Sequence, residues 1–172
     1  MKTLVKVSLR YGILGGMIGA GLLIGLYYLG RHPFLIPVYR DFRIILFAVF
    51  IFFALREIRD YQDGILYFWQ GILASFLFTA AYSVLATVIL VVFMHAVPAF
   101  VADYITLTLE ILKSFPAGEI ERIGKDVYDS NLMNLPATNS FKLGQLHFVQ
   151  SFMISLFISI ILSVILRRQP KI

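Results

Sequence analysis

SFMISLFISIILSVIL, Ser151 to Leu166, is an apolar run whose only polar side chains are serines at every fourth position: Ser151, Ser155, Ser159 and Ser163. Extended back to Phe148 it is free of ionisable groups. That length suits a helix crossing a hydrocarbon core of about 30 Å, which takes about 20 residues. Two more runs share the character, YGILGGMIGAGLLIGLYYL from Tyr11 to Leu29 and the stretch from Gly71 to Phe93. A fourth, IILFAVFIFFAL from Ile44 to Leu55, is too short alone. It reaches span length only over Phe42 to Ile58, with Arg43 and Arg56 snorkelling to opposite interfaces.

The expected fold class is therefore all-α: a polytopic membrane protein with four transmembrane helices, at about 11–29, 42–58, 71–93 and 148–166. The 172 residues form a single membrane domain, and 59% of them are hydrophobic against 15% charged. Soluble domains average roughly 45–50% apolar, and a mean hydropathy of +0.84 points the same way. The net charge of +5 would suggest nucleic acid in a soluble chain. Here Lys and Arg sit at the edges of apolar runs, where they orient a membrane protein, so no nucleic-acid partner is expected. The absence of Cys excludes a disulfide framework, a thiolate nucleophile and a Cys-based metal site.

Lys2, Lys6 and Arg10 precede the first run as the basic region of a signal peptide would. That run exceeds the usual signal core of about 7–15 residues and no A-x-A site follows, so an uncleaved anchor is expected. With the N-terminus cytoplasmic, Lys2, Lys6, Arg10, Arg56, Arg59, Arg167, Arg168 and Lys171 fall in short segments on the inner side. Arg31, Arg40, Arg43, Lys113, Arg122, Lys125 and Lys142 are spread over longer outer ones. The density of basic residues in short loops places both termini inside.

The segment between the third and fourth spans, about 96–147, is the one sizeable polar region, and its periodicity is helical. In PAFVADYITLTLEILK, Phe100, Tyr104, Leu107 and Ile111 share a face. In SFPAGEIERIGKDV, Pro116 and the early Glu119 and Glu121 mark a helix start, with Ile120, Ile123 and Val127 on one side. Such amphipathic helices lie on the membrane face or cap the bundle. SNLMNLPATNS, Ser130 to Ser140, reads as a loop.

Residues four apart share a helix face. The serine stripe of the last span has counterparts in Gly71, Ser75, Thr79, Ser83 and Thr87 of the third span and in Gly12, Gly16 and Ala20 of the first. In lipid, small residues let backbones approach closely, which makes these stripes helix-packing seams. The alternative, a hydroxyl-lined path for a small solute, would call for ionisable groups inside the membrane. None falls within the first, third or fourth span, and His95 sits at an interface. The second span, rich in phenylalanine at Phe47, Phe50, Phe52 and Phe53, lacks a stripe and is expected to face lipid or a partner.

At the outer mouth, Arg40, Asp41 and Arg43 form a charged cluster that would meet Asp103 or Glu110, or attract an anionic lipid head group; a substrate site is the lesser reading. In the turn REIRDYQDG, Arg56 with Asp60 and Arg59 with Asp63 have i,i+4 spacing, and a solvated charge network outweighs a cation site built on Glu57, Asp60 and Asp63. Tyr67 and Trp69 stand where an interfacial aromatic belt belongs. With no phosphate loop, Ser-His-Asp context or His-x-x-x-His pair, no catalytic, cofactor-binding or metal site is expected, and an enzyme is the least supported class.

Ile58, Arg59, Asp60 and Tyr61, then Gly64, Phe68 and Gly71, then Pro98, Phe100 and Tyr104, then Glu110, Lys113, Glu119, Ile120 and Glu121, and the closing Arg167 and Arg168 together resemble domain of unknown function 4199. This is a family of small bacterial membrane proteins, and the resemblance covers nearly the whole chain. It implies four spans with a long helical segment before the last, in the bacterial inner membrane, and it implies no activity. The chain departs from the pattern in the uncharged Ser130 to Ser140 stretch and in serines where glycine would be expected in the last span. The expected role is a non-enzymatic structural or accessory component that packs with itself, as a homo-oligomer, or with another membrane protein, in contact with membrane lipid. A small-solute transporter or oligomeric channel is the alternative.

Overall fold

The computed structural model describes residues 1–169; Lys171, counted above among the inner cations, lies outside them. The chain runs α1 (Lys2–Tyr28), two 3-10 turns (Pro33–Leu35 and Val38–Arg40), α2 (Arg43–Asp60), α3 (Phe68–Ala96), α4 (Ala99–Lys113), α5 (Ala117–Ile123), α6 (Lys125–Asn134), a 3-10 turn (Leu135–Ala137) and α7 (Ser140–Leu166). Among the described residues the sheet-like pairing is one isolated antiparallel bridge, Leu66 to Arg168. Three helices, α1, α3 and α7, are long and apolar enough to cross a membrane. At 1.5 Å per residue each extends about 40 Å.

α1 and α3 run parallel, because Gly12 lies against Phe78 and Gly16 against Tyr82. α7 runs antiparallel to α3, since Gly71 meets Ser163, Thr79 meets Ser155 and Thr87 meets His147. α2 returns antiparallel to α1 and is wedged between α1 and α7, closing a bundle in the order α1, α3, α7, α2. The approach of α1 to α3 depends on glycine: a Cβ at Gly12 would stand 2.7 Å from the Phe78 carbonyl oxygen, inside van der Waals contact. The same face leaves a slot at Gly15 and Gly19 for the fully buried Tyr82 ring.

The phenylalanine-rich α2 does not turn its aromatic side wholly outward, as the sequence suggested. Phe47, Ile51, Leu55 and Ile58 are fully buried, and the Phe47 ring meets Tyr82 edge-on at 4.5 Å between centroids. Of its phenylalanines Phe53 is the exposed one, with Phe50 and Phe52 half-buried. The helical period explains the split, since positions 47, 51, 54, 55 and 58 share a face.

Other boundaries also differ from the reading above. Ser140 to His147, placed above in the polar segment before the fourth span, is the start of α7, capped by the Asn139 side chain, which accepts from the Lys142 backbone N–H at 2.9 Å. Ser130 to Asn134 belongs to α6, and the break falls earlier, at Gly124, whose φ of +95° ends α5. The i,i+4 pairs of Arg56 with Asp60 and of Arg59 with Asp63 do not form among the described residues. α2 stops at Asp60, and Asp63 sits in the following turn with a φ of +53°. Glu57 instead pairs with Arg10 and accepts from the Tyr11 hydroxyl at 3.0 Å, joining α2 to α1.

Candidate functional site

The sequence Asp41-Phe42-Arg43 leads into α2. The Asp41 carboxylate sits where the first turn of a helix leaves N–H groups open, and it accepts from the Arg43 backbone N–H at 2.9 Å. It also accepts from the Arg43 Nε, at 2.8 Å to one oxygen and 3.0 Å to the other. Arg43 therefore does not snorkel outward. It is 6% exposed and points into the bundle, its charge neutralised by its own neighbour.

α7 supplies the other partners from one face. Arg43 Nη1 donates to the Ser151 Oγ at 2.9 Å, and Nη2 donates to the Gln150 Oε1 at 3.1 Å. Ser151, its oxygen already accepting from arginine, has its O–H free for the His147 Nε2 at 3.3 Å. His147 Nδ1 then lies 3.1 Å from the Thr87 hydroxyl of α3. A continuous hydrogen-bonded line thus joins Asp41, Arg43, Ser151, His147 and Thr87 across three helices. His147 is 1% exposed. The sequence reading missed it by starting the fourth span one residue later; the Asn139 cap was the signal that would have placed it inside a helix.

Of the outer charged cluster, Asp41 and Arg43 come together and Arg40 does not. Arg40 is exposed and lies over the Tyr39 ring at 5.5 Å. The expected contacts to Asp103 or Glu110 do not form: Asp103 accepts instead from the Tyr27 hydroxyl at 2.8 Å.

The stripes meet inside the chain. The Thr79 hydroxyl donates to the Ser75 carbonyl at 2.8 Å, so its oxygen accepts from the Ser155 hydroxyl at 2.6 Å. Ser159 donates to the Ser155 carbonyl at 2.6 Å. Ser75, Ser83, Ser151, Ser155, Ser159 and Ser163 are all buried, as is Thr79. A Cβ at Gly71 would stand 2.8 Å from the Ser163 Oγ, so side chain touches backbone with no gap between α3 and α7 there. Gly12, Gly16 and Ala20 are buried on α1, Ala20 completely. His95 is exposed and donates from Nδ1 to the Val91 carbonyl at 2.7 Å. Among the described residues, no three His, Asp or Glu side chains gather to hold a metal ion.

No curated protein and no solved structure matches the chain. A family model described as "Protein of unknown function (DUF4199)" matches residues 10–168. The residues singled out for that resemblance, from Ile58 through Arg168, lie inside the match, and the chain belongs to the DUF4199 family.

Proposed function

We propose that the chain is a four-span integral protein of the bacterial inner membrane, with both termini cytoplasmic, acting as a non-enzymatic accessory component that packs with itself or with another membrane protein. The observation that carries this reading is the closed α3–α7 seam, where Thr79 bonds Ser155 directly and Gly71 touches Ser163. The Thr79, Ser155 and Ser159 hydroxyls are used in bonds within and between the two helices, and side chain meets backbone at Gly71, which is the pattern of a packing face. For α2 as the fourth span, support comes from its place in the bundle and from the ends of its apolar stretch, where Arg43 and Glu57 are both tied to neighbouring helices. For the orientation, support comes from Lys2, Lys6, Arg10, Arg56, Arg59, Arg167 and Arg168, which belong to the helix ends joined by the Arg10–Glu57 pair and the Leu66–Arg168 bridge.

α4 to α6 then cover the outer end. Phe100 is buried there, while Leu107, Ile111, Ile123 and Val127 remain exposed and available to a membrane surface or a partner. Affinity purification of the full chain in mild detergent tests the proposal. An accessory component brings down one other membrane protein in fixed ratio or forms a homo-oligomer inert in liposomes.

A second reading, small-solute transport, draws on the buried Asp41–Arg43–His147 line, because ionisable groups inside a membrane commonly mark a path. Flux through reconstituted liposomes, lost on His147→Gln with the fold retained, would favour it over the first.

A further inference from the structure

We propose that the groove between the C-terminal end of α1 and the start of α4 binds the ammonium of a phospholipid head group that carries N–H donors, as phosphatidylethanolamine does. The groove has a volume of about 560 Å³, and its walls include Tyr27, Tyr28, His32, Asp103 and Leu107. Asp103 is the one charged side chain in this lining, and among the described residues it has no cationic partner. Its carboxylate accepts a single hydrogen bond, from the Tyr27 hydroxyl, which leaves lone pairs on both oxygens for further donors.

The surroundings favour a cation of this type. α1 and α3 run parallel and both end here, at Tyr28 and Ala96, and Val97, which caps α3, lines the groove. The C-terminal ends of α1 and α3 carry partial negative charge and the N-terminal end of α4 partial positive charge, so the preference for a cation rests on the Asp103 carboxylate and the aromatic wall. Tyr28 is 68% exposed, and its ring stands edge-on to Tyr27 at 5.6 Å between centroids, so an aromatic wall faces open space. A cation over such a ring is attracted by its electron-rich face. Gly30, with a φ of +77° and nothing near its missing Cβ, keeps the rim low.

The chemistry separates head groups. A quaternary ammonium has no N–H to give Asp103, and an anionic head group meets an unneutralised carboxylate, so ethanolamine lipid is preferred to both choline and glycerol lipid. Tyr27 and Tyr28 end a membrane-length helix, which sets the groove at head-group depth. The inference rests on α1 and α3 crossing a bilayer; extraction of the chain from membranes by alkaline carbonate would refute that premise separately.

The test is native mass spectrometry of the full chain in detergent with equimolar phosphatidylethanolamine, phosphatidylcholine and phosphatidylglycerol. The expected result is preferential retention of phosphatidylethanolamine, weakened by about tenfold or more in Asp103→Asn, as loss of a charge-assisted hydrogen bond implies. Glu110→Gln, on α4 but outside the groove, should leave it unchanged. Equal retention of the three lipids, or retention unaffected by Asp103→Asn, overturns the site. Free ethanolamine binding as tightly as the lipid would overturn the lipid as its source.

Discussion

Arg43 is the side chain on which the interior polar order turns. Its pairing with Asp41 stabilises little in net terms, because both groups are desolvated, yet removing one partner strands the other. Asp41→Ala should therefore cost about 3–5 kcal/mol in the unfolding of the detergent-solubilised protein. The double replacement Asp41→Leu with Arg43→Met should recover most of that loss, since an apolar pair of similar volume carries no uncompensated charge. Equal damage from the double variant would show that the ion pair itself holds α2 in place. A second residue-scale prediction concerns His32, buried between α1 and α4 with its Nε2–H donating to the Phe100 carbonyl at 3.1 Å. Burial lowers its pKa below the ordinary imidazole value, against smaller upward effects of the Phe100 carbonyl and Asp103. The fold holds the ring neutral, facing Asp103, Tyr27 and Tyr104. Its stabilising contribution is complete above the ordinary imidazole pKa and declines as pH falls from there through the lowered value. Hydrogen-exchange protection of α4 should accordingly weaken between about pH 7.5 and pH 5 in the wild type and stay level in His32→Gln. Stronger protection in acid would mean that Asp103 holds an imidazolium instead.

At the scale of the elements, the α3–α7 seam makes size more important than polarity. Ser159→Ala removes a bond from a hydroxyl to its own helix and keeps the volume, so thermal stability in detergent should hardly change; interhelical hydrogen bonds in membranes average about 0.6 kcal/mol even where they are lost. Ser159→Leu overfills a buried position and should cost about 1–3 kcal/mol. Equal losses for the two variants would contradict a packing seam. This seam was the most legible part of the molecule. The four-residue period of small side chains in both spans shows which faces meet, because close approach in lipid has few other solutions. The inward turn of Arg43 was not legible, since a basic residue at a span end reads as an interfacial anchor. Besides Asp41, its guanidinium has internal partners in Gln150 and Ser151, which three-dimensional placement brings to it. His147 stayed hidden for a related reason: hydropathy marks where lipid-compatible sequence begins, whereas the helix begins earlier, at the Asn139 cap.

For the whole molecule, the bundle order α1, α3, α7, α2 gathers the N-terminal end of α1 and the C-terminal end of α7 on one side, and the helical segment from α4 to α6 on the other. Composition made the membrane character plain. It did not decide α2, whose charges at both ends obscure its hydropathy and whose partners lie on α1 and α7. The crossing of α2 is the central claim, and the absence of native Cys makes it open to single-cysteine labelling. Tyr39 precedes α2 and is 76% exposed, and Tyr61 follows it and is 66% exposed. In intact cells an impermeant thiol reagent should label Tyr39→Cys and Lys125→Cys, whereas Tyr61→Cys and Lys2→Cys should react only after permeabilisation. Labelling of Tyr39→Cys and Tyr61→Cys from the same side would contradict the account, because α2 would then not cross the membrane.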